Sequence, residues 1–222
     1  MPRSRSFAAV ILAAGESTRM GTDKALLPWP PPTASQAQSQ SQSLSKSQSK
    51  ETFLSAAIRS LSAVADFVLV VVGKNESILA PVAYAHGASL AVNPDPSRGQ
   101  FSSMQVGLRE VLKRGRDAAM ITLVDRPPVR TETVRSLCEA FELAAEKRKS
   151  AVVPQFAGKH GHPFLVGREM IEAFLQAPAT ATARDIEHKH QSQIAYIDVD
   201  DPFVTININT PEDYASLSTS SL

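Results

Sequence analysis

Short, almost wholly apolar runs alternate along the chain with longer amphipathic ones. Phe7–Ala13, Phe67–Val72, Ser89–Val92 and Ala118–Val124 are brief, some are rich in Val and Ile, and their ends carry Gly, Asn or Asp. Such runs predict strands buried on both faces of a parallel sheet. Between them lie predicted helices at Glu51–Ala65, Glu76–Ala85 and Phe101–Arg114. In the last of these, Met104, Val106, Leu108, Val111 and Leu112 fall mostly on one face. Thr131 is the predicted cap of a helix over Glu132–Lys147, in which Val134, Leu137, Cys138 and Phe141 recur at helical spacing. This βαβα rhythm predicts an α/β fold, a mostly parallel central sheet flanked by helices on both faces.

After Ser150 the pattern changes. Ala151–Phe156 and Pro163–Val166 predict strands, Arg168–Leu175 and Ala181–His190 helices, and Ile194–Val199 and Val204–Ile208 β-branched strands. Pro211–Leu217 opens a last helix with proline in its first turn. The C-terminal half thus predicts a mixed sheet suited to completing a site. Pro30–Lys50 fits neither pattern. Three prolines lead into Ser-Gln alternation with almost nothing to bury, which predicts a disordered surface insertion within a single domain spanning residues 1–222. Its cost is small, because loop-closure entropy grows slowly with length.

With 43% hydrophobic and 20% charged residues, the 222-residue chain has the makings of an ordinary globular core. A formal net charge of +1 and the lack of a long basic run argue against a nucleic-acid partner, though not against binding one nucleotide. The one cysteine, Cys138, excludes an intrachain disulfide and reads as a small apolar filler. Arg3 and Arg5 before the run Phe7–Ala14 imitate a secretory leader. That run is short and continues directly into a glycine-containing loop, so a cytoplasmic location is expected. No apolar stretch approaches a membrane span.

The chemistry concentrates in Leu12-Ala-Ala-Gly-Glu-Ser-Thr-Arg-Met-Gly-Thr-Asp-Lys24, which follows the first strand. It is neither a Walker loop nor a dinucleotide fingerprint. Its logic is still phosphate binding. Gly15 and Gly21 let backbone N–H groups turn inward at a strand's carboxyl end, Ser17 and Thr18 add hydroxyls, and Arg19 and Lys24 supply positive charge. By composition alone, a glycine-rich turn with exposed cations reads equally well.

This loop resembles the signature of the molybdenum-cofactor nucleotidyltransferases, the cytidylyltransferase and guanylyltransferase branches together. The resemblance continues through Asn93-Pro94, Gly99-Gln-Phe-Ser-Ser-Met-Gln-Val-Gly-Leu108, Val124-Asp-Arg-Pro127, Gly161-His-Pro163 and Ile206-Asn-Ile-Asn-Thr-Pro-Glu-Asp213. It implies a Rossmann-like nucleotidyltransferase fold and transfer of a nucleotidyl group, CMP from CTP, to the phosphate of molybdopterin with release of pyrophosphate. Ala14 stands where the guanylyl branch carries a second glycine, and Ser102-Ser103 and Gly161-His162-Pro163 also lean to the cytidylyl branch. Asn207 and Asn209 lean the other way. The same chemistry with GTP, or on a sugar phosphate or other phosphoester, and a non-catalytic cofactor carrier or chaperone, are the competing readings.

The resemblance assigns roles residue by residue. Leu12, Ala13, Ala14, Gly15, Ser17, Arg19, Lys24, Asn93, Ser102 and Ser103 contact the nucleotide. Lys24, Arg19 and Asp125 act in the transfer, Asp125 and Asn209 hold Mg²⁺, and His162 shapes the acceptor pocket. A molybdoenzyme is implied as a maturation partner. Read without the resemblance, Asp125 is an ordinary turn residue before Pro127-Pro128, and Asn209 or Thr210 caps the helix at Pro211. One side-chain oxygen cannot serve both cap and metal. Arg126 departs from the neutral residue usual beside the metal carboxylate, and either pairs with Asp125 or reaches a phosphate.

Overall fold

The computed structural model describes residues 6–15, 20–32, 51–178 and 180–218. Ser17, Thr18, Arg19 and residues 33–50 of the predicted insertion lie outside the described residues. The strands are β1 (Ala8–Leu12), β2 (Phe67–Val72), β3 (Ser89–Val92), β4 (Ala118–Leu123), β5 (Ala151–Phe156), β6 (Lys159–His160), β7 (Phe164–Gly167) and β8 (Ile194–Asp198). They form one sheet in the order β3-β2-β1-β4-β7-β5-β6, with β8 beside β5. β1 pairs in parallel with both β2 and β4, with Ala8 opposite Phe67 on one side and Ala119 on the other. β7 runs antiparallel to β4 and to β5, while β8 is parallel to β5. The sheet is therefore mostly parallel with a mixed C-terminal half, as the change of pattern after Ser150 predicts.

Burial on both faces explains the apolar runs. Ala8, Val10 and Leu12 of β1 and Leu69 and Val71 of β2 enter one core. Ala9 and Ile11 of β1, with Val68, Val70 and Val72 of β2, enter the other. The first core is covered by α3 (Gln100–Lys113), through Met104, Leu108 and Val111, and by α5 (Arg168–Gln176), through Met170, Ile171 and Phe174. The second is covered by α1 (Phe53–Ser62), α2 (Glu76–Ala85) and α4 (Thr131–Glu146). The close seat of α3 on the sheet depends on Gly107, where an added Cβ would come 2.6 Å from Val10 Cγ1.

Three expectations are corrected. Thr131 is the first residue of α4 and does not cap it. Arg130 holds the cap position with no side-chain cap bond, and its N–H donates to Asp201 Oδ2 at 3.0 Å. Val204–Ile208 is not a strand. Pro202–Val204 forms a 3-10 turn, and the backbone beyond it is satisfied by loops of the site rather than by a ladder: Val204 O accepts from His162 N at 2.8 Å, and Ile208 N donates to Asp125 O at 2.8 Å. The proline run is not wholly solvent-facing, since Pro31 is buried. Trp29 before it packs edge-on against Phe53 and Phe203.

The remaining helices are α6 (Ala183–Lys189) and α7 (Pro211–Ser216), each opened by a capping box, on Thr182 and Thr210 respectively. Cys138 is half-buried against the core, and burial, with Glu142 and Glu139 nearby, pushes its thiol up to about 12. That is the behaviour of a filler rather than a nucleophile. Among the described residues no helix is long and apolar enough to cross a membrane.

Candidate active site

The parallel strands β1 and β4 end side by side, and the loops that leave them converge at the carboxyl edge of the sheet, where open α/β folds place their ligands. The β1 loop is stapled by Asn75. Its Nδ2 donates to Ala13 O at 2.9 Å and to Asp23 Oδ2 at 2.7 Å, while its Oδ1 accepts from Gly73 N at 3.1 Å. The other oxygen of Asp23 caps the turn Lys24–Leu26 by accepting from Ala25 N. The two carboxylate oxygens thus tie both ends of the loop and set where Lys24 projects. Asn75 and Asp23 escaped the sequence reading, because a bridging amide has no spacing rule to betray it.

Lys24 Nζ lies 3.5 Å from Asp125 Oδ2 and donates to Asn209 Oδ1 at 3.3 Å. Asp125 follows β4, and its carboxylate faces the site rather than capping a turn. With its amide set to satisfy its neighbours, Asn207 donates to Asp125 Oδ1 and Oδ2 at 3.3 and 3.2 Å, and its oxygen accepts from Asn209 Nδ2 at 2.9 Å. The open question of the cap resolves in favour of Thr210, whose Oγ1 accepts from Asp213 N at 3.2 Å. The Asn209 side chain is thereby released to the site.

These donors suit a hard divalent cation. A carboxylate and an amide oxygen converge on a positive charge that is already there, the Lys24 ammonium. Among the described residues no cluster of three or more His, Cys, Asp or Glu forms a cage. The set fits an ion that draws the rest of its shell from water and substrate phosphate, as Mg²⁺ does.

The opposite wall comes from the start of α3. Gly99, at φ 90°, admits the turn into the helix, and among the described residues no side chain caps it. Asn93 is buried and donates from Nδ2 to Ser102 Oγ and Ser103 Oγ, both at 2.9 Å. Leu12, Ala14, Gly15, Lys24, Ser103, Asp125 and Asn209 line a cavity of about 330 Å³, together with Gly99 and Gln100. Of the residues assigned to the nucleotide, Asn93 and Ser102 stand behind this wall and brace it, and Ala13 stands behind the β1 loop, its carbonyl held by Asn75.

A second cavity of about 790 Å³ adjoins the first and shares Leu12, Gly99, Gln100 and Leu123 with it. His162, Arg126, Arg98, Arg184 and Glu187 line it. His162 sits on a tight approach: a Cβ on the neighbouring Gly161 would fall 2.3 Å from Val204 O, so this position takes only glycine. Burial, and then the charge of Arg126, push the His162 imidazole down to about 3, so it is neutral at physiological pH. Burial also lowers Arg126 from the ordinary guanidinium value, opposed by the charge of Asp125. Arg126 does not ion-pair with Asp125. Its Nη1 donates to Val204 O at 3.3 Å and Ile206 O at 3.4 Å.

Residues 9–194 match the family described as MobA-like NTP transferase domain. The molybdenum cofactor cytidylyltransferase of Escherichia coli (strain K12) is 22% identical over 209 residues, 92% of each chain. The probable molybdenum cofactor guanylyltransferase of Rhodopirellula baltica is 29% identical over 132 residues, 60% of this chain and 54% of that protein. In fold, a Mycobacterium tuberculosis H37Rv protein superposes with a TM-score of 0.75 at 24% identity, covering 97% of this chain and 100% of the other. A complex of that same protein with manganese gives 0.70 at 21% identity, with the same coverage. The match over most of its length, on a sheet whose strand ends bring Lys24, Asp125 and Asn209 to one cavity, makes this chain a nucleotidyltransferase of the MobA-like NTP transferase family.

Proposed function

We propose that the protein transfers CMP from CTP to the terminal phosphate of molybdopterin, releasing pyrophosphate. The observation that carries this reading is the pair of adjoining cavities, one built around Lys24, Asp125 and Asn209, the other lined by three arginines against one glutamate. The first has a volume within the range of about 300–1,000 Å³ usual for small-molecule sites. The second is biased toward an anion.

In the reaction an oxygen of the acceptor phosphate forms a bond to the α-phosphorus, and the bond from that phosphorus to pyrophosphate breaks. The attacking phosphate is already anionic, so no side-chain nucleophile is required. The work of the protein is to align the two substrates and offset the repulsion between them. Lys24 supplies positive charge to the leaving phosphates. Asp125 and Asn209 would hold Mg²⁺, which when bound neutralises charge on the reacting phosphates. Gln100 and the first N–H groups of α3 offer donors to the triphosphate from the opposite wall. A cytoplasmic setting belongs to the same reading, since Cys138 is a free thiol.

Ala14 supports the choice of base. It is buried and lines the nucleotide cavity. A methyl group there narrows the pocket against a purine. Asn207 and Asn209 favour the second reading, the same transfer from GTP. Pyrophosphate release, measured with each of the four triphosphates and molybdopterin, separates these. CTP is expected to be used best, and Ala14→Gly to shift the ratio toward GTP by roughly tenfold, within the range one methylene contributes. A wild-type preference for GTP would overturn the cytidylyl assignment, and no release with any triphosphate would favour a carrier.

A further inference from the structure

Two buried nitrogens in the second cavity have no partner among the described residues: Arg126 Nε and His162 Nδ1. Both side chains line that cavity, and they arrive on different loops, Arg126 after β4 and His162 before β7. A buried polar atom left unpaired is destabilising, so such atoms mark either strain or a missing ligand. Two of them, on neighbouring residues of one cavity, favour a ligand.

The guanidinium shows which part of it remains for that ligand. Nη1 is committed to the carbonyls of Val204 and Ile206, which fixes the plane of the group. The edge formed by Nε and Nη2 is left over, and it is the edge that forks onto two oxygens of a carboxylate or phosphate. Arg126 is half-buried, so a charge it meets there is poorly screened. His162 is neutral, so its Nδ1 bonds an oxyanion only as an N–H donor, which its tautomer allows.

We infer that Arg126, through its Nε–Nη2 edge and with His162 Nδ1–H beside it, binds the phosphate of the acceptor and so selects phosphorylated acceptors in the second cavity. This rests on the reading that the second cavity receives the acceptor. It gives the arginine next to the metal carboxylate a role separate from the nucleotide: one strand end presents Asp125 to one substrate and Arg126 to the other.

The test is a titration of the full-length protein with inorganic phosphate, followed at the ¹⁵N-labelled imidazole of His162 by NMR, beside calorimetry of CTP and GTP binding. In the wild type the His162 signal is expected to shift saturably. In Arg126→Gln the phosphate dissociation constant should rise on the order of tenfold or more, the loss of a charged hydrogen bond, while triphosphate affinity is retained. In the transfer assay the same variant should raise the acceptor KM and leave the triphosphate KM unchanged. Arg126→Lys keeps the cation without the fork, so it should fall between the two and serves if Arg126→Gln does not fold. A wild-type signal indifferent to phosphate, or a phosphate response equal in wild type and both variants, would overturn the inference. So would parallel loss of phosphate and triphosphate binding in a folded variant. Arg126-dependent phosphate binding without turnover of molybdopterin would leave the inference standing and reject the acceptor named above.

Discussion

Lys24 Nζ stands 3.5 Å from Asp125 Oδ2, so the cation of the β1 loop and the carboxylate at the end of β4 share one position. A divalent ion bound by Asp125 competes with that ammonium. Asp125→Asn is therefore expected to lower kcat/KM by on the order of 10²–10⁴-fold, the several kcal/mol a metal's charge supplies. Raising Mg²⁺ should restore part of the loss. Lys24→Ala should also impair transfer, but without rescue by Mg²⁺, and it should tighten Mn²⁺ binding to the nucleotide-free protein, as read by electron paramagnetic resonance. Full activity of Asp125→Asn with unchanged Mg²⁺ dependence would refute the arrangement.

The chain re-enters the fold where it leaves it. Trp29 N donates to Glu51 O at 2.8 Å, Phe53 N donates to Leu27 O at 2.9 Å, and Pro28 bridges Thr52. Residues 34–50 can thus be excised and the ends rejoined by a short link. The deletion is expected to change unfolding free energy by no more than about 1 kcal/mol, because closure entropy is logarithmic in length. Triphosphate affinity should be retained. A loss of cooperative urea unfolding in the deletion would assign those residues a structural role.

The depressed His162 imidazole links stability to pH. In the unfolded chain the ring takes a proton near its ordinary value of about 6.5. In the folded protein it does so only near 3. Across that window the unfolded state binds more protons, so this group makes stability fall as pH falls, by at most about 1.4 kcal/mol per pH unit. The contribution is fully present above about pH 6.5. His162→Asn should flatten the slope of wild-type stability between pH 6.5 and 5, a range above most carboxylate titrations. Parallel slopes in urea denaturation of the two proteins would contradict a buried neutral ring.

Much of this was legible in the residues. β1, β2 and β4 read as apolar runs because both their faces are buried, and α4 reads from spacing because only one face of it is. The loop from Gly15 to Lys24 and the carboxylate at Asp125 stood out as chemistry at strand ends. Two kinds of feature did not. Val204–Ile208 has the β-branched composition of a strand, yet its backbone groups pair with His162, Arg126 and Asp125. Asn93, Ser102 and Ser103 form one motif, yet only Ser103 reaches the cavity.

The division has a physical cause. Alternation, helical spacing and turn chemistry act between residues near one another in sequence, so they set which segments become strands, helices and loops, and in what order. They are silent on which distant groups meet. That Asn75 ties Ala13 to Asp23, that Thr210 caps α7 and so releases Asn209 toward Lys24, and that Arg126 turns from Asp125 to two carbonyls beyond β8 are outcomes of packing. Each is chosen because a buried polar group must find a partner, and that partner comes from whichever segment the completed sheet brings within reach.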